Sequence, residues 1–230
     1  TLHCRTPTLR RANLNAKAYA AGLLAALTAA CTAAATQTPP PAASPPPVTV
    51  TTTPAAIERA RADSVRYPYT EADVHFMTMM IGHHAQAIRI AQWAPTHGAG
   101  AAVQRLAERV VNGQLDDIVV MQQWLVDRQR PAPGIDDTGQ HMHMPGMLTE
   151  EQLKQLDAAR GSEFDRLFLT FMIQHHQGAV AMVQQLFGTT GAAQDLTVFK
   201  FANDVQVDQS TEIARMQQML ANVPSNQRNP

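Results

Sequence analysis

The chain contains an internal repeat, and this repeat constrains the fold more than any other feature of its 230 residues. A first pair of segments aligns at an offset of 92 residues, from Glu71 and Glu163 to Ala87 and Ala179. A second pair, 114–125 and 209–220, aligns at an offset of 95 and shares the pattern Gln-x-x-(Asp/Glu)-Ile-x-x-Met. Each copy of the repeat therefore predicts one helix that contains a His-His pair, followed by a second helix that contains the Gln pattern. Two such hairpins predict an all-α fold, a ferritin-like four-helix bundle.

Residues typical of helix ends divide the chain in the same way. Thr70 with Asp73 and Ser162 with Asp165 resemble capping pairs at the start of the first and third helices. A capping box at Thr149–Gln152 predicts a short helix between the hairpins. The residues predicted to end or follow the long helices are Pro95, Pro131, Gly188 and Pro224.

The segment before the repeat has the composition of an export signal followed by a linker. Residues 1–31 have a basic start, a short Ala/Leu-rich run and small residues before Cys31, which resembles a lipobox with Cys31 as the lipidated residue. The alternative is ordinary cleavage after an Ala-x-Ala site. Residues 32–66 are rich in Pro, Thr and Ala and predict an extended tether. The bundle domain then covers 67–224, with repeat one at 67–130, a Met/His loop at 131–148 and repeat two at 149–224.

The buried faces of the predicted helices carry His and Met at equivalent positions. Met80 and His84 lie one turn apart at the centre of the first face, and Met172 and His176 repeat this on the third helix. The second and fourth helices place Met, Gln and a carboxylate on their inner faces. The combination of imidazole and thioether donors suits soft or borderline metal ions, Cu(I) first. The candidate ligands in the bundle are Met80, His83, His84, Met121, Met172, His175, His176 and Met216. The candidate accessory groups are Asp73, Asp165, Asp117, Glu212, Gln114 and Gln209.

The linker between the hairpins contains a second group of candidate ligands. The segment 141–147 holds five potential soft ligands in seven positions, together with a Pro and a Gly. We expect metal capture or transfer to the bundle; the alternative is a hinge that packs its Met side chains onto the bundle end. These five residues are His141, Met142, His143, Met144 and Met147. We expect Met79, Met182 and Met219 to fill the core and His75 and His97 to lie at the surface.

The longest motifs resemble domain-of-unknown-function family 305. They are Phe164-Asp165-Arg166-x-Phe168-Leu169-x-x-Met172-Ile173-x-His175-His176-x-Gly178-Ala179-Val180-x-Met182, Met144-Pro145-Gly146-Met147 leading into Thr149-x-Glu151-Gln152-Leu153, and the two Gln patterns. The resemblance implies a ferritin-like bundle that is exported and often lipid-anchored. It also implies Cu(I) or Ag(I) binding at Met80, His83, His84, Met121, Met172, His175, His176 and Met216, as in the copper-binding members. Repeat one departs from the hallmark, since Gly82 and Ala85-Gln86 stand where repeat two has Gln174 and Gln177-Gly178.

Three functions therefore compete. The first is an exported copper-binding protein that sequesters or transfers the ion. The second is a di-iron oxidoreductase, which normally needs Glu-x-x-His motifs that neither repeat has. The third is a metal-free interaction module on a tether. A net charge of −1 argues against nucleic acid as a partner, and no catalytic motif supports an enzyme.

Overall fold

The computed structural model describes residues 50–136 and 144–224, and within these ranges the chain forms helices and no strand. The six helices are α1 Pro54–Arg66, α2 Glu71–Ala91, α3 Ala101–Asp127, α4 Glu150–Ala158, α5 Gly161–Phe187 and α6 Leu196–Ala221. The all-α prediction is confirmed. The four long helices form two hairpins, α2 with α3 and α5 with α6, which pack together through α2 and α5. None of the helices in these two ranges is both long and apolar enough to cross a membrane.

The predicted helix caps are correct at two sites and wrong at the third. Thr70 and Asp73 form a capping box at the start of α2, and Thr149 and Gln152 form one at α4. At α5 the predicted Ser162 cap is absent, because the helix begins at Gly161 after Arg160 and has no side-chain cap. The carboxylate of Asp165 instead accepts hydrogen bonds from the backbone N–H of Gly100, at 3.1 Å.

Two further features differ from the expectation. Helix α1 lies within the segment predicted as a tether; Thr53 caps it, Pro54 occupies its first turn, and it packs on α3. His97 is buried rather than at the surface. Its Nε2 lies 3.0 Å from the carbonyl oxygen of Asp157, so this histidine joins the end of α2 to the end of α4. His75 is exposed, as expected.

The interior consists of two apolar clusters with a layer of histidines between them. The first cluster draws mainly on residues 76–81 of α2, 118–125 of α3, 179–186 of α5 and 198–205 of α6. The second cluster draws mainly on residues 87–94 of α2, 103–110 of α3, 153–156 of α4 and 164–172 of α5, with Met216 of α6. The first half of α2 thus packs beside the second half of α5, and the His-His pairs lie near the middle of both helices. We call His83, His84, His175 and His176 the histidine layer.

Candidate metal centre

The fold brings the two His-His pairs of the repeat into direct contact. All four imidazoles of the histidine layer are fully buried. The rings of His83 and His175, which are equivalent positions in the repeat, lie with their centroids 3.9 Å apart. Because these two residues are equivalent and in contact, they lie where the axis of an approximate two-fold symmetry between the hairpins would pass.

The outer two histidines are each bonded to a carboxylate of the neighbouring helix. His84 Nε2 lies 3.1 Å from Asp117 on α3, and His176 Nε2 lies 2.8 Å from Glu212 on α6. Because an ionised carboxylate only accepts hydrogen bonds, each Nε2 carries the proton. Each Nδ1 is then left with a free lone pair, which is the form in which histidine binds metal ions. Asp117 and Glu212 are thus in hydrogen-bond contact with candidate ligands.

Several buried polar atoms in and beside this layer have no hydrogen-bond partner among the described residues. They are Nδ1 of His83, His84 and His176, both ring nitrogens of His175, both amide atoms of Gln114 and Oε1 of Gln209. An unsatisfied buried polar group costs about 1–3 kcal/mol, and native proteins leave few of them. Their concentration in one layer places several nitrogen and oxygen atoms where they could contact an ion or a water molecule.

The surroundings of His83, His175 and His176 favour their neutral form. Burial lowers the pKa of His83 to about 3, and a charge on His84 would act in the same direction. Burial likewise lowers the pKa of His175 well below its usual value, assisted by the neighbouring imidazoles. The pKa of His176 is also lowered by burial, although Glu212 opposes the shift. Neutral rings are ready to act as ligands without first losing a proton.

The candidate methionines lie on both sides of the histidine layer. Met80 and Met121 are fully buried in the first cluster, and Met172 and Met216 are fully buried in the second. The structure thus pairs the candidate thioethers within each hairpin. Met144 is also buried in the first cluster, and Met147 packs against it. His141, Met142 and His143 lie outside the described residues.

Two of the predicted accessory carboxylates lie far from the histidines. Asp73 is about 16 Å before His84 along α2 at about 1.5 Å per residue. Besides capping α2, it accepts a hydrogen bond from the backbone N–H of Ala193, at 2.6 Å, in the loop that joins α5 to α6. Asp165 does the same for Gly100 in the loop that joins α2 to α3. Both therefore tie one hairpin to the loop of the other.

Within 50–136 and 144–224, no group of three or more His, Cys, Asp or Glu side chains is arranged to hold a metal ion. An ion held in the histidine layer by three or more side chains would therefore need thioether ligands as well as imidazoles, or a movement of side chains as it binds. This arrangement gives no support to a di-iron centre, because the carboxylates that such a centre requires are at helix starts or bonded to histidine.

The segment Met144–Leu148, which we call the strap, lies across α2 and α5 at the histidine layer. Its Pro145 carbonyl oxygen is 3.0 Å from His83 Nε2, and Gln86 forms two hydrogen bonds with the backbone of Leu148. The Met-Pro-Gly-Met motif predicted Met144 and Met147 as ligands but gave no indication of the Pro145 carbonyl contact. The available signal for this contact in the sequence was Gln86, the position at which repeat one departs from the family motif.

The fold and the site together define an all-helical protein with a buried layer of histidines flanked by methionines. The sequence profile of the domain of unknown function DUF305 matches residues 73–220. The chain therefore belongs to this family, and the resemblance seen in its motifs is confirmed.

Several solved structures are similar to this chain. A DUF305 fragment from Deinococcus radiodurans is 29% identical with a TM-score of 0.58, and the match covers 66% of this chain and 97% of the fragment. A DUF305 protein from Streptomyces coelicolor, considered to be secreted, is 27% identical with a TM-score of 0.58, covering 65% of this chain and 92% of that one. CopM in its Cu(I)-bound form is 30% identical with a TM-score of 0.53, covering 65% and 96%. No curated protein sequence matches significantly.

Proposed function

We propose that this chain is an exported protein that binds Cu(I), and also Ag(I), through imidazole and thioether groups in order to sequester or transfer copper. The observation that carries this proposal is the set of fully buried imidazole nitrogens in the histidine layer that have no hydrogen-bond partner in residues 50–136 and 144–224. A bound ion would satisfy these nitrogens and offset the cost of burying them.

The donor types favour a soft ion. Thioether sulfur selects Cu(I) and similar ions, and imidazole accepts copper in either oxidation state. Thioethers need no deprotonation, and burial lowers the pKa of His83 and of His175, so both donor types are available at neutral pH. The proposed bundle ligands are Met80, His83, His84, Met121, Met172, His175, His176 and Met216, with Asp117 and Glu212 as hydrogen-bond partners of the ligands.

Relatives of known structure support the same ion class. CopM, which is 30% identical to this chain, has been solved in Cu(II)-bound, Cu(I)-bound and silver-bound forms. The proposal extends this chemistry to the present chain, whose buried His and Met residues provide suitable donors.

Metal content and silver titration of the purified chain test the proposal. We expect about one or more Ag(I) or Cu(I) per chain and a higher melting temperature on binding, because a ligand that binds only the folded state stabilises it. The combined change of Met80 and Met172 to Leu and of His84 and His176 to Gln should abolish binding. The matched control changes Met79 and Met219 to Leu and His75 to Gln, which should leave binding intact.

Unchanged stoichiometry in the first variant, with its folding verified by circular dichroism, would overturn the site. No binding and no thermal shift in the unaltered chain would favour a metal-free interaction module instead.

Export and anchoring are a separate part of the proposal. They are supported by the basic and apolar start of the chain, by the small residues before Cys31 and by a relative that is considered to be secreted. In a bacterial host, the full chain with its leader should fractionate with membranes and incorporate labelled palmitate. Cys31→Ser should remove the label and release the protein, and a protein that stays soluble with Cys31 intact would contradict the anchor.

A further inference from the structure

The strap is held by residues at which the two repeats differ. A Cβ atom on Gly178 would lie 2.0 Å from the Pro145 carbonyl oxygen, so the strap can lie over α5 only because this residue is glycine. The equivalent position in repeat one is Gln86, which donates to the Leu148 carbonyl at 3.1 Å and accepts from the Leu148 N–H at 2.8 Å. The strap thus requires a residue without a side chain at Gly178 on α5 and a side-chain amide at Gln86 on α2.

The strap makes the two central histidines inequivalent. The Pro145 carbonyl can only accept a hydrogen bond, so His83 must hold its proton on Nε2, and its Nδ1 has no partner among the described residues. His175, the equivalent residue in repeat two, has no partner at either ring nitrogen among the described residues. Among the described residues, no hydrogen bond like the one from His83 to Pro145 fixes its tautomer, although the backbone of His83 acts to raise its pKa.

We propose that Gly178 and Gln86 are positioning residues that hold the strap on the histidine layer, where the Pro145 carbonyl fixes the His83 tautomer and presents Nδ1 as the ligand atom. His83 is then the fixed ligand of the central pair, and His175 is the ring that adapts to the ion. The role of these nitrogens as ligands rests on the proposed function, whereas the tautomer of His83 is a property of the metal-free protein.

A pair of glycine substitutions tests this inference. Gly178→Ala introduces the clash with Pro145 and should displace the strap. Gly113→Ala is the matched control, because it makes the same change within helix α3 at a position where a Cβ would meet no atom within 4 Å. Gln86→Leu is a second variant, which removes both bonds to Leu148 without introducing the clash.

The measurement is the 15N chemical shift of each imidazole nitrogen in the metal-free protein at pH 7. The unaltered protein and Gly113→Ala should show one protonated and one unprotonated nitrogen for His83. Gly178→Ala and Gln86→Leu should show averaged signals for His83, because exchange between tautomers becomes possible. His84 and His176 should not change in any variant, since Asp117 and Glu212 fix their tautomers independently.

A folded Gln86→Leu protein in which His83 keeps a single Nε2–H tautomer would overturn the inference. That variant decides the result alone if Gly178→Ala does not fold. Silver titration of the same proteins gives the second readout: both strap variants should bind more weakly, by roughly tenfold, as expected when a group that orients a histidine ligand is lost. Absence of silver binding in the unaltered protein would defeat the proposed function but leave the tautomer result valid.

Discussion

At the scale of single residues, Asp117 and Glu212 lie where the interior meets the solvent. Their side chains are 36% and 24% exposed, whereas the imidazoles that they contact are fully buried. Partial exposure leaves each carboxylate in contact with solvent while it orients a buried ring. The same pairing is found beside many metal-bound histidines, where the carboxylate raises the basicity of the ligand.

Replacing the carboxylate of Asp117 should weaken metal binding more than it weakens the fold. For Asp117→Asn we expect a loss in Ag(I) affinity of about 10–100-fold, because the ring is no longer oriented by a charged acceptor. Competition titration of Ag(I) measures the change. Asp116→Asn is the matched control, since its exposed side chain is the neighbouring residue on α3. Equal affinity in the two variants would show that Asp117 has no role in binding.

The buried histidines predict how the stability of the metal-free protein depends on pH. Burial lowers the pKa of His83 to about 3 and also lowers the pKa values of His175 and His176. These rings stay neutral in the folded state, whereas in the unfolded chain they bind protons below pH about 6.5. Because the unfolded state then holds more protons, stability is greatest above this pH and falls as the pH drops from 6.5 towards 3.

Urea unfolding at several pH values, with a chelator present, measures this slope. Each such histidine contributes about 1.4 kcal/mol per pH unit within the window in which its two states differ in protonation. The double variant His83→Leu, His175→Leu should therefore show a shallower loss of stability between pH 6.5 and 4. An unchanged slope would assign the acid sensitivity to other groups.

At the scale of helices, Asp73 and Asp165 show how the repeat is used in the architecture. Each is equivalent to the other, and each bonds to the backbone of the loop within the opposite hairpin. Asp73 also completes a capping box, whereas the start of α5 has no side-chain cap. The carboxylate at this position of the repeat thus caps its helix and binds a loop in α2, but only binds a loop in α5.

This difference predicts different costs for two cap substitutions. Asp73→Ala should lower the free energy of unfolding by about 2 kcal/mol or more, since it removes a cap interaction and leaves the buried Ala193 N–H without its acceptor. Ser162→Ala should change it by less than about 0.5 kcal/mol, because Ser162 makes no cap bond. Chemical unfolding of both metal-free variants compares them. A large cost at Ser162 would contradict the observed start of α5.

The sequence predicted the long helices and the inward position of both His-His pairs, because a repeated pair on an apolar face depends only on local helical spacing. It could not predict contacts made between distant segments. The capping motif at Ser162 was present, but Asp165 bonds to Gly100 instead, a choice made by tertiary packing. His97 was expected at the surface because nothing near it in sequence indicates Asp157 as its partner. The strap was missed for the same reason.

At the scale of the whole molecule, the two apolar clusters contain different numbers of methionines although the architecture is duplicated. Of the methionines in the described residues, the first cluster contains Met77, Met79, Met80, Met121, Met144, Met147 and Met182. The second cluster contains only Met172, Met216 and Met219. Equivalent positions in the repeats account for Met80 and Met172 and for Met121 and Met216. The surplus comes from the strap and from extra positions on α2 and α5, so the duplicated halves differ in donor number.

This imbalance predicts which half of the molecule a soft ion occupies first. At less than one equivalent of Ag(I), the methyl signals of Met80, Met121 and Met144 should shift before those of Met172 and Met216. The reason is that the first cluster also contains Met144 of the strap, which contacts the histidine layer, and thioether donors favour soft ions.

Protein labelled with 13C at the Met methyl groups allows the titration to be followed by NMR. Single Met→Leu variants assign each signal at small structural cost, since this exchange nearly conserves volume. Met219, in the second cluster but outside the proposed ligand set, is the internal reference. Simultaneous shifts on both sides would mean that the two halves bind equivalently, and the surplus methionines of the first cluster would then serve only to fill its core.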